Sequence, residues 1–245
     1  MSAVLVIAGS DSSGGAGLVR DLRTLTDLDT PALCALTAVT AQTDHAVVHS
    51  EVLPEYVVRA QIEAAFATRA VAAVKIGMLA TAATVRVVAE ALGPRAGVPV
   101  VLDPVLAASS GGTLLDEDGR AALRGLLPRV ALLTPNLPEA AALLGEAPAV
   151  TPSAVLAQAR GLLALGVAAV LLKGGHGSGD EATDWLVTAG GEPRALSAPR
   201  LAHGIRGSGC ALASAIAAYL AHGLALADAC QHAKEYVTAL ILRSS

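Results

Sequence analysis

Aromatic side chains are scarce in this chain of 245 residues: one Trp, three Tyr and one Phe make up 2% of it. A core without large rings must be filled by Ala, Leu and Val, which dominate a hydrophobic share of 53%. Charge is scarce too, and the formal net charge of -4, with no basic patch interleaved with aromatics, argues against a nucleic-acid partner. Cys34, Cys210 and Cys230 are an odd set without metal-ligand spacing, which fits a reducing cytoplasm. Apolar runs are broken by Gly, Pro or charge before the ~18 residues that a membrane helix needs, so no membrane partner is expected. Met1-Ser2-Ala3 leads into Val4 to Gly9 with no basic region ahead, which reads as a first strand and not as a signal peptide. Nothing reads as a linker, a repeat or a low-complexity segment, so a single domain over residues 1–245 is expected.

What is present is a regular alternation. After the strand Val4 to Gly9 comes a polar, glycine-rich loop from Ser10 to Gly17. Leu18, Leu22, Leu25 and Leu28 then recur at helical spacing. Strands are expected at Ala32 to Thr40, Val47 to Val52, Ala72 to Ile76, Val98 to Leu102, Val130 to Leu133 and Ala168 to Leu172. Helices are expected at Glu55 to Thr68, Ala82 to Leu92, Glu117 to Leu127 and Ser153 to Leu165. Such spacing predicts an α/β fold, a mostly parallel sheet with helices on both faces. Thr183 to Val187 and Arg194 to Ala198 read as an antiparallel edge, and Cys210 to Leu220 and Leu226 to Leu242 as closing helices.

Ligands of such sheets bind outside the carboxyl ends of the strands. Those ends carry polar or glycine residues at Gly9-Ser10-Asp11, Gln42-Thr43-Asp44, Gly77-Met78, Asp103-Pro104, Thr134-Pro135-Asn136 and Lys173-Gly174-Gly175-His176. The stretch Gly207-Ser208-Gly209-Cys210 opens a helix, and the first amides of a helix lack intrahelical acceptors, which makes that turn a site for an anion. The helix dipole favours a thiolate at Cys210, a candidate base or nucleophile. The same residues also describe a plain entry into a buried Ala-rich helix with Cys210 as a small core residue.

Other residues carry two readings as well. Asn136 can cap a helix with Pro138 and Glu139 in its first turn; with Glu139 it can also hold water and a divalent ion near a phosphate. Asp103 adds a carboxylate at the same edge. Lys173 can project an ammonium toward phosphate or simply be solvated. His176 reads as conformational or solvent-facing. No Walker A pattern and no Gly-x-Gly-x-x-Gly fingerprint occurs, and no local signature supports a cysteine hydrolase.

These motifs together resemble the ribokinase-like superfamily, and within it the hydroxymethylpyrimidine/phosphomethylpyrimidine kinase branch of thiamin synthesis. The matching stretches are Ala8 to Gly17, Asp21 to Thr24, Leu36 to Thr43, Lys75 to Met78, Asp103 to Leu106, Thr134 to Ala140, Leu172 to His176 and Gly207 to Ser214, in the family's order. The resemblance implies a three-layer α/β/α domain that phosphorylates a pyrimidine alcohol, and then its monophosphate, with ATP and Mg²⁺. It assigns the anion hole and catalytic turn to Gly207, Ser208, Gly209 and Cys210, the pyrimidine contact to Gln42 with Gly9, Asp21 and Met78, the metal to Asp103 and Glu139, and the ATP phosphates to Lys173 and Asn136. It also implies a homodimer. The chain departs from the family's pattern at Ser12, where proline is usual, and at Gly204-Ile205-Arg206, where Asn-Thr-His is usual. Arg206 puts a permanent cation beside the anion hole, so it is expected to contact a substrate phosphate or else to lie on the surface. A pyridoxal or pyridoxine kinase is the rival activity, and a non-catalytic binding protein on the same fold is a rival of another class.

Overall fold

Val4, Val6 and Ala8 alternate with Leu5 and Ile7 along the first strand, and a strand that is apolar on both faces needs a layer of helices on each. The computed structural model, which describes residues 2–43, 45–108, 112–175 and 179–244, supplies both layers. Strand β1 (Ala3–Asp11) sends Val4, Val6 and Ala8 into a core shared with helices α1 (Gly17–Asp27), α7 (Ser208–Ala221) and α8 (Leu226–Leu242). Leu5 and Ile7 enter the opposite core, against α2 (Glu55–Thr68), α3 (Ala82–Leu92), α4 (Glu117–Leu126), α5 (Leu137–Leu144) and α6 (Pro152–Ala164).

The sheet between them contains, among the described residues, nine strands: β1, β2 (Ala32–Gln42), β3 (Val47–Val52), β4 (Val71–Ile76), β5 (Val100–Leu102), β6 (Leu132–Leu133), β7 (Ala169–Leu172), β8 (Glu181–Thr188) and β9 (Arg194–Pro199). Their order is β3-β2-β1-β4-β5-β6-β7-β8-β9. From β2 to β7 neighbours run parallel. The expected antiparallel edge is present as β8 and β9. At the other edge β3 also runs antiparallel, because residues 43–46 are too few for a crossover back to the same direction. The chain leaves β1 toward β2 on one side and returns to β4 on the other, so the order reverses at β1, and crevices in such sheets open at that point.

Two strands are shorter than their apolar runs. Val98 donates to Arg95 O in a turn, and Pro99 has no amide to give a ladder, so β5 begins at Val100. A 3-10 turn at Leu127–Arg129, with Val130 donating to Leu127 O, delays β6 to Leu132. Helix α5 follows the strand exit Thr134-Pro135-Asn136, with Asn136 as its cap and Pro138 and Glu139 in its first turn, as one of the two readings of Asn136 expects. Asp44 of the polar loop and His176 lie outside the described residues.

One buried ion pair ties the layers together behind the crevice. Lys75 of β4 and Asp21 of α1 are fully buried, with Nζ 2.8 Å from Oδ2, and Ser214 of α7 donates to Asp21 Oδ1 at 2.8 Å. Burial is the largest single influence and works against the charge on Lys75, but the surrounding negative groups, Asp21 first and Asp103 among them, together hold the ammonium pKa above its ordinary value. Removing one partner of a buried pair strands the other charge. Lys75→Met is therefore expected to lower unfolding free energy by about 3–5 kcal/mol in urea titration. Adding Asp21→Asn to it should recover much of that loss, because the stranded charge is gone while Ser214 keeps an acceptor.

Candidate active site

The site is built where α7 begins. Gly207 takes φ +72° at the helix N-cap, with no side-chain cap, and a Cβ there would stand 2.5 Å from Gly15 O. Only glycine lets the turn into α7 lie so close to the loop that follows β1. Gly209 faces the other way: a Cβ on it would meet Lys173 Nζ at 3.1 Å and Asp103 Oδ2 at 3.4 Å. The first amides of α7 thus open between the β1 loop and the ends of β5 and β7.

A cavity of about 980 Å³ runs along this edge. Its wall includes Gly9, Gln42, Met78, Asp103, Asn136, Glu139, Lys173, Arg206, Gly207, Ser208, Gly209 and Cys210. Twelve of the thirteen residues singled out from the sequence therefore share one cavity. The exception is Asp21, which lies outside the cavity wall: it sits on the apolar stripe of α1, fully buried, with its carboxylate paired to Lys75 and Ser214.

At one end stand Lys173, Asp103 and Glu139. Lys173 Nζ lies 2.9 Å from Asp103 Oδ1 and 3.9 Å from Glu139 Oε2. Burial opposes the charge on Lys173, yet the two carboxylates outweigh it and raise its pKa above the usual range. Burial pushes Glu139 up to about 7; Lys173 pulls against this and Asp103 adds to it. Both readings of Asn136 and Glu139 are compatible here, since they form a capping box, each amide donating to the other's side chain at 2.8 Å, inside the cavity wall. Two hard oxygen donors beside a lysine suit a divalent ion that keeps waters and takes phosphate oxygens. Among the described residues no group of three or more His, Cys, Asp or Glu is placed to hold a metal ion.

Cys210 departs from the sequence expectation. Burial pushes its thiol up to about 11, the charge of Lys75 opposes this, and Asp21 and Asp103 reinforce it, so the group is a thiol near neutral pH and not a dipole-stabilised thiolate. At the far end, Gln42 meets Arg206 at 3.1 Å, and Met78 lies against Gly9 in the same cavity wall. Arg206 is not a surface residue; it is paired with Asp11 at 3.0 Å.

Three contributions escaped the sequence reading. Lys75 lines the cavity from below, and its signal was a lysine inside a buried apolar strand. Asp184 and Lys234 form a buried pair at 2.8 Å, and Asp184 also accepts from the amide of Gly174 at 2.8 Å, fixing the backbone just after Lys173. Their signal was a lysine beside Ala233 on the buried face of α8.

A family model described as phosphomethylpyrimidine kinase matches residues 11–245. The hydroxymethylpyrimidine/phosphomethylpyrimidine kinase of Escherichia coli strain K12 is 42% identical over 242 residues, 98% of this chain and 91% of that one. A solved phosphomethylpyrimidine kinase from Clostridium difficile 630 superposes with a TM-score of 0.86 at 35% identity, covering 98% of this chain and all of that one. A pyridoxal kinase from Staphylococcus aureus, solved with pyridoxal, gives 0.90 at 31% identity over 98% and 88%.

The state of Cys210 is open to direct measurement. At about pH 7.5 it is expected to react with iodoacetamide roughly a hundredfold more slowly than an ordinary thiol, with the rate rising toward pH 11 as the thiolate forms. Peptide mapping separates it from Cys34 and Cys230. An inflection below pH 8 would restore the thiolate reading.

Proposed function

The chain belongs to the phosphomethylpyrimidine kinase family and is a phosphotransferase, and we propose that it phosphorylates 4-amino-5-hydroxymethyl-2-methylpyrimidine, and then the monophosphate, with ATP in thiamin biosynthesis. The observation that carries this reading is the arrangement of a single cavity, with Lys173, Asp103 and Glu139 on one side of the uncapped α7 turn and Gln42, Met78 and Gly9 on the other. Phosphoryl transfer demands little covalent chemistry from a protein; it needs two substrates in line and charge to neutralise the transferred group.

In this reading, the amides at Gly207, Ser208, Gly209 and Cys210 form the anion hole at the reacting alcohol. Lys173, fixed by the pairing of Gly174 with Asp184, meets the ATP phosphates, with Asn136 beside it. Asp103 and Glu139 would hold Mg²⁺, which when bound neutralises phosphate oxygens. Cys210 stands at the alcohol as a thiol. A neutral alcohol needs little prior ionisation, so placement outweighs a strong base. Gln42, Met78, Gly9 and Arg206 receive the pyrimidine and exclude water from it. Residues 1–245 act as one kinase domain, which we place in the cytoplasm as a homodimer. No helix among the described residues is long and apolar enough to cross a membrane.

The higher sequence identity to kinases named for the pyrimidine favours it over pyridoxal. ADP release with ATP and Mg²⁺ is expected to give a higher kcat/KM for the hydroxymethylpyrimidine and its monophosphate than for pyridoxal, the ratio that defines specificity. Preference for pyridoxal would overturn the substrate and keep the chemistry. Absence of ATP turnover with the pyrimidine bound would favour a binding protein. Lys173→Met should lower kcat by about 10²–10³-fold, with KM for the pyrimidine nearly unchanged, since it removes charge stabilisation at the phosphate end alone.

A further inference from the structure

Arg206 immediately precedes the Gly207 turn into α7, and its contacts converge on the side of the cavity proposed for the substrate ring. Nη2 donates to Asp11 Oδ2 at 3.0 Å and to Gln42 Oε1 at 3.1 Å, while Nη1 donates to Ser13 Oγ at 2.8 Å. A guanidinium offers donors only, so the atom of the Gln42 amide that faces it must be the oxygen. The opposite side of the amide gives the same answer. Gln42 Nε2 donates to Thr40 Oγ1 at 2.7 Å, and the Thr40 hydroxyl has given its own hydrogen to Ser10 O at 2.9 Å, which leaves it as an acceptor. Flipping the amide would set NH₂ against the guanidinium.

The hold is firm because Arg206 is itself anchored. Asp11 is buried, and it also accepts from Ser13 N at 2.9 Å and Ala16 N at 3.0 Å, so the carboxylate that fixes the arginine is fixed by the β1 loop. A lysine could not reproduce this, since one ammonium has no planar fork to span Asp11, Ser13 and Gln42 together.

We infer that Arg206 is a specificity-determining residue, which acts by fixing the sense in which Gln42 presents its amide to the cavity. Held this way, Gln42 offers one N–H and one carbonyl lone pair in a set order. That edge is the complement of an aromatic ring nitrogen beside an exocyclic amino group, and a bidentate amide reads such an acceptor and donor together. A ring without the amino group satisfies only half of it. The inference rests on the proposed function, in which Gln42 faces the pyrimidine.

The test compares kcat/KM for the hydroxymethylpyrimidine, for the same ring with its amino group replaced by hydrogen, for the monophosphate of the aminated ring, and for pyridoxal. Arg206→Met is expected to lower the value for both aminated substrates about tenfold, the scale of one charge-assisted hydrogen bond, and the value for the des-amino ring much less. Arg206→Lys should show the same contraction of preference while keeping the charge. Gln42→Glu, which has no donor, should lose the preference too, and its combination with Arg206→Met should be clearly non-additive. Equal losses on both rings would overturn the inference, and so would a loss confined to the monophosphate, which would instead mark a phosphate contact. A wild-type protein that prefers pyridoxal overturns both the proposed function and this inference. One that prefers the aminated ring, with the preference intact in Arg206→Lys and Arg206→Met, overturns the inference alone.

Discussion

The uncapped start of α7 is the constraint on which the rest of the structure depends. Its amides carry the positive end of a helix dipole into the crevice at the sheet's switch point, and no side chain at Gly207 quenches them. To bring them there, backbone must meet backbone at Gly207 and Gly15, and Ser214, within the same helix, must reach Asp21 beneath. A chain of net charge -4 gathers its site cations without mutual repulsion by giving each an aspartate: Lys75 with Asp21, Lys173 with Asp103, Arg206 with Asp11. In a cavity of low dielectric, such pairing keeps the cations charged and in place before any ligand arrives.

Much of the fold was legible because it rests on short-range periodicity. Alternating apolar strands and helices of period 3.6 need only a few neighbours to be read, and the edge where their polar exits gather follows from strand direction. Twelve of the candidate residues met at one cavity for that reason. The direction of β3 and the lengths of β5 and β6 were harder. They turn on a four-residue loop, a proline without an amide, and a 3-10 turn, features whose effect is decided by the neighbouring strand.

Asp21 and Cys210 mark where sequence reading stops. Asp21 shares a helical face with Leu25 (i+4) and Leu18 (i−3), so its burial was written in the spacing. Its partner was not, because Lys75 is 54 positions away. At Cys210 the sequence displays the helix terminus but not the desolvation around it. A terminus returns roughly 0.3–1 kcal/mol to an exposed charge, less than is needed to offset burial that lifts a thiol to about 11. The visible term was the smaller one.

The two ends of the cavity come from different parts of the chain. One end is assembled from the exits of β5, β6 and β7, proposed above to take the phosphates, and the other from β1, β2, the turn after β4 and Arg206, proposed to take the ring. Solved relatives named for phosphomethylpyrimidine and for pyridoxal share this frame closely, so the frame alone does not choose the substrate. The choice falls to wall residues that the sheet tolerates changing. In the proposed function a substitution at Asp103 or Lys173 disturbs charge that every phosphoryl transfer needs, whereas one at Arg206 alters a network of Asp11, Ser13 and Gln42 on the side proposed for the ring. Selection for a different substrate can therefore act on the second group while the first, and the α7 turn between them, stays as it is.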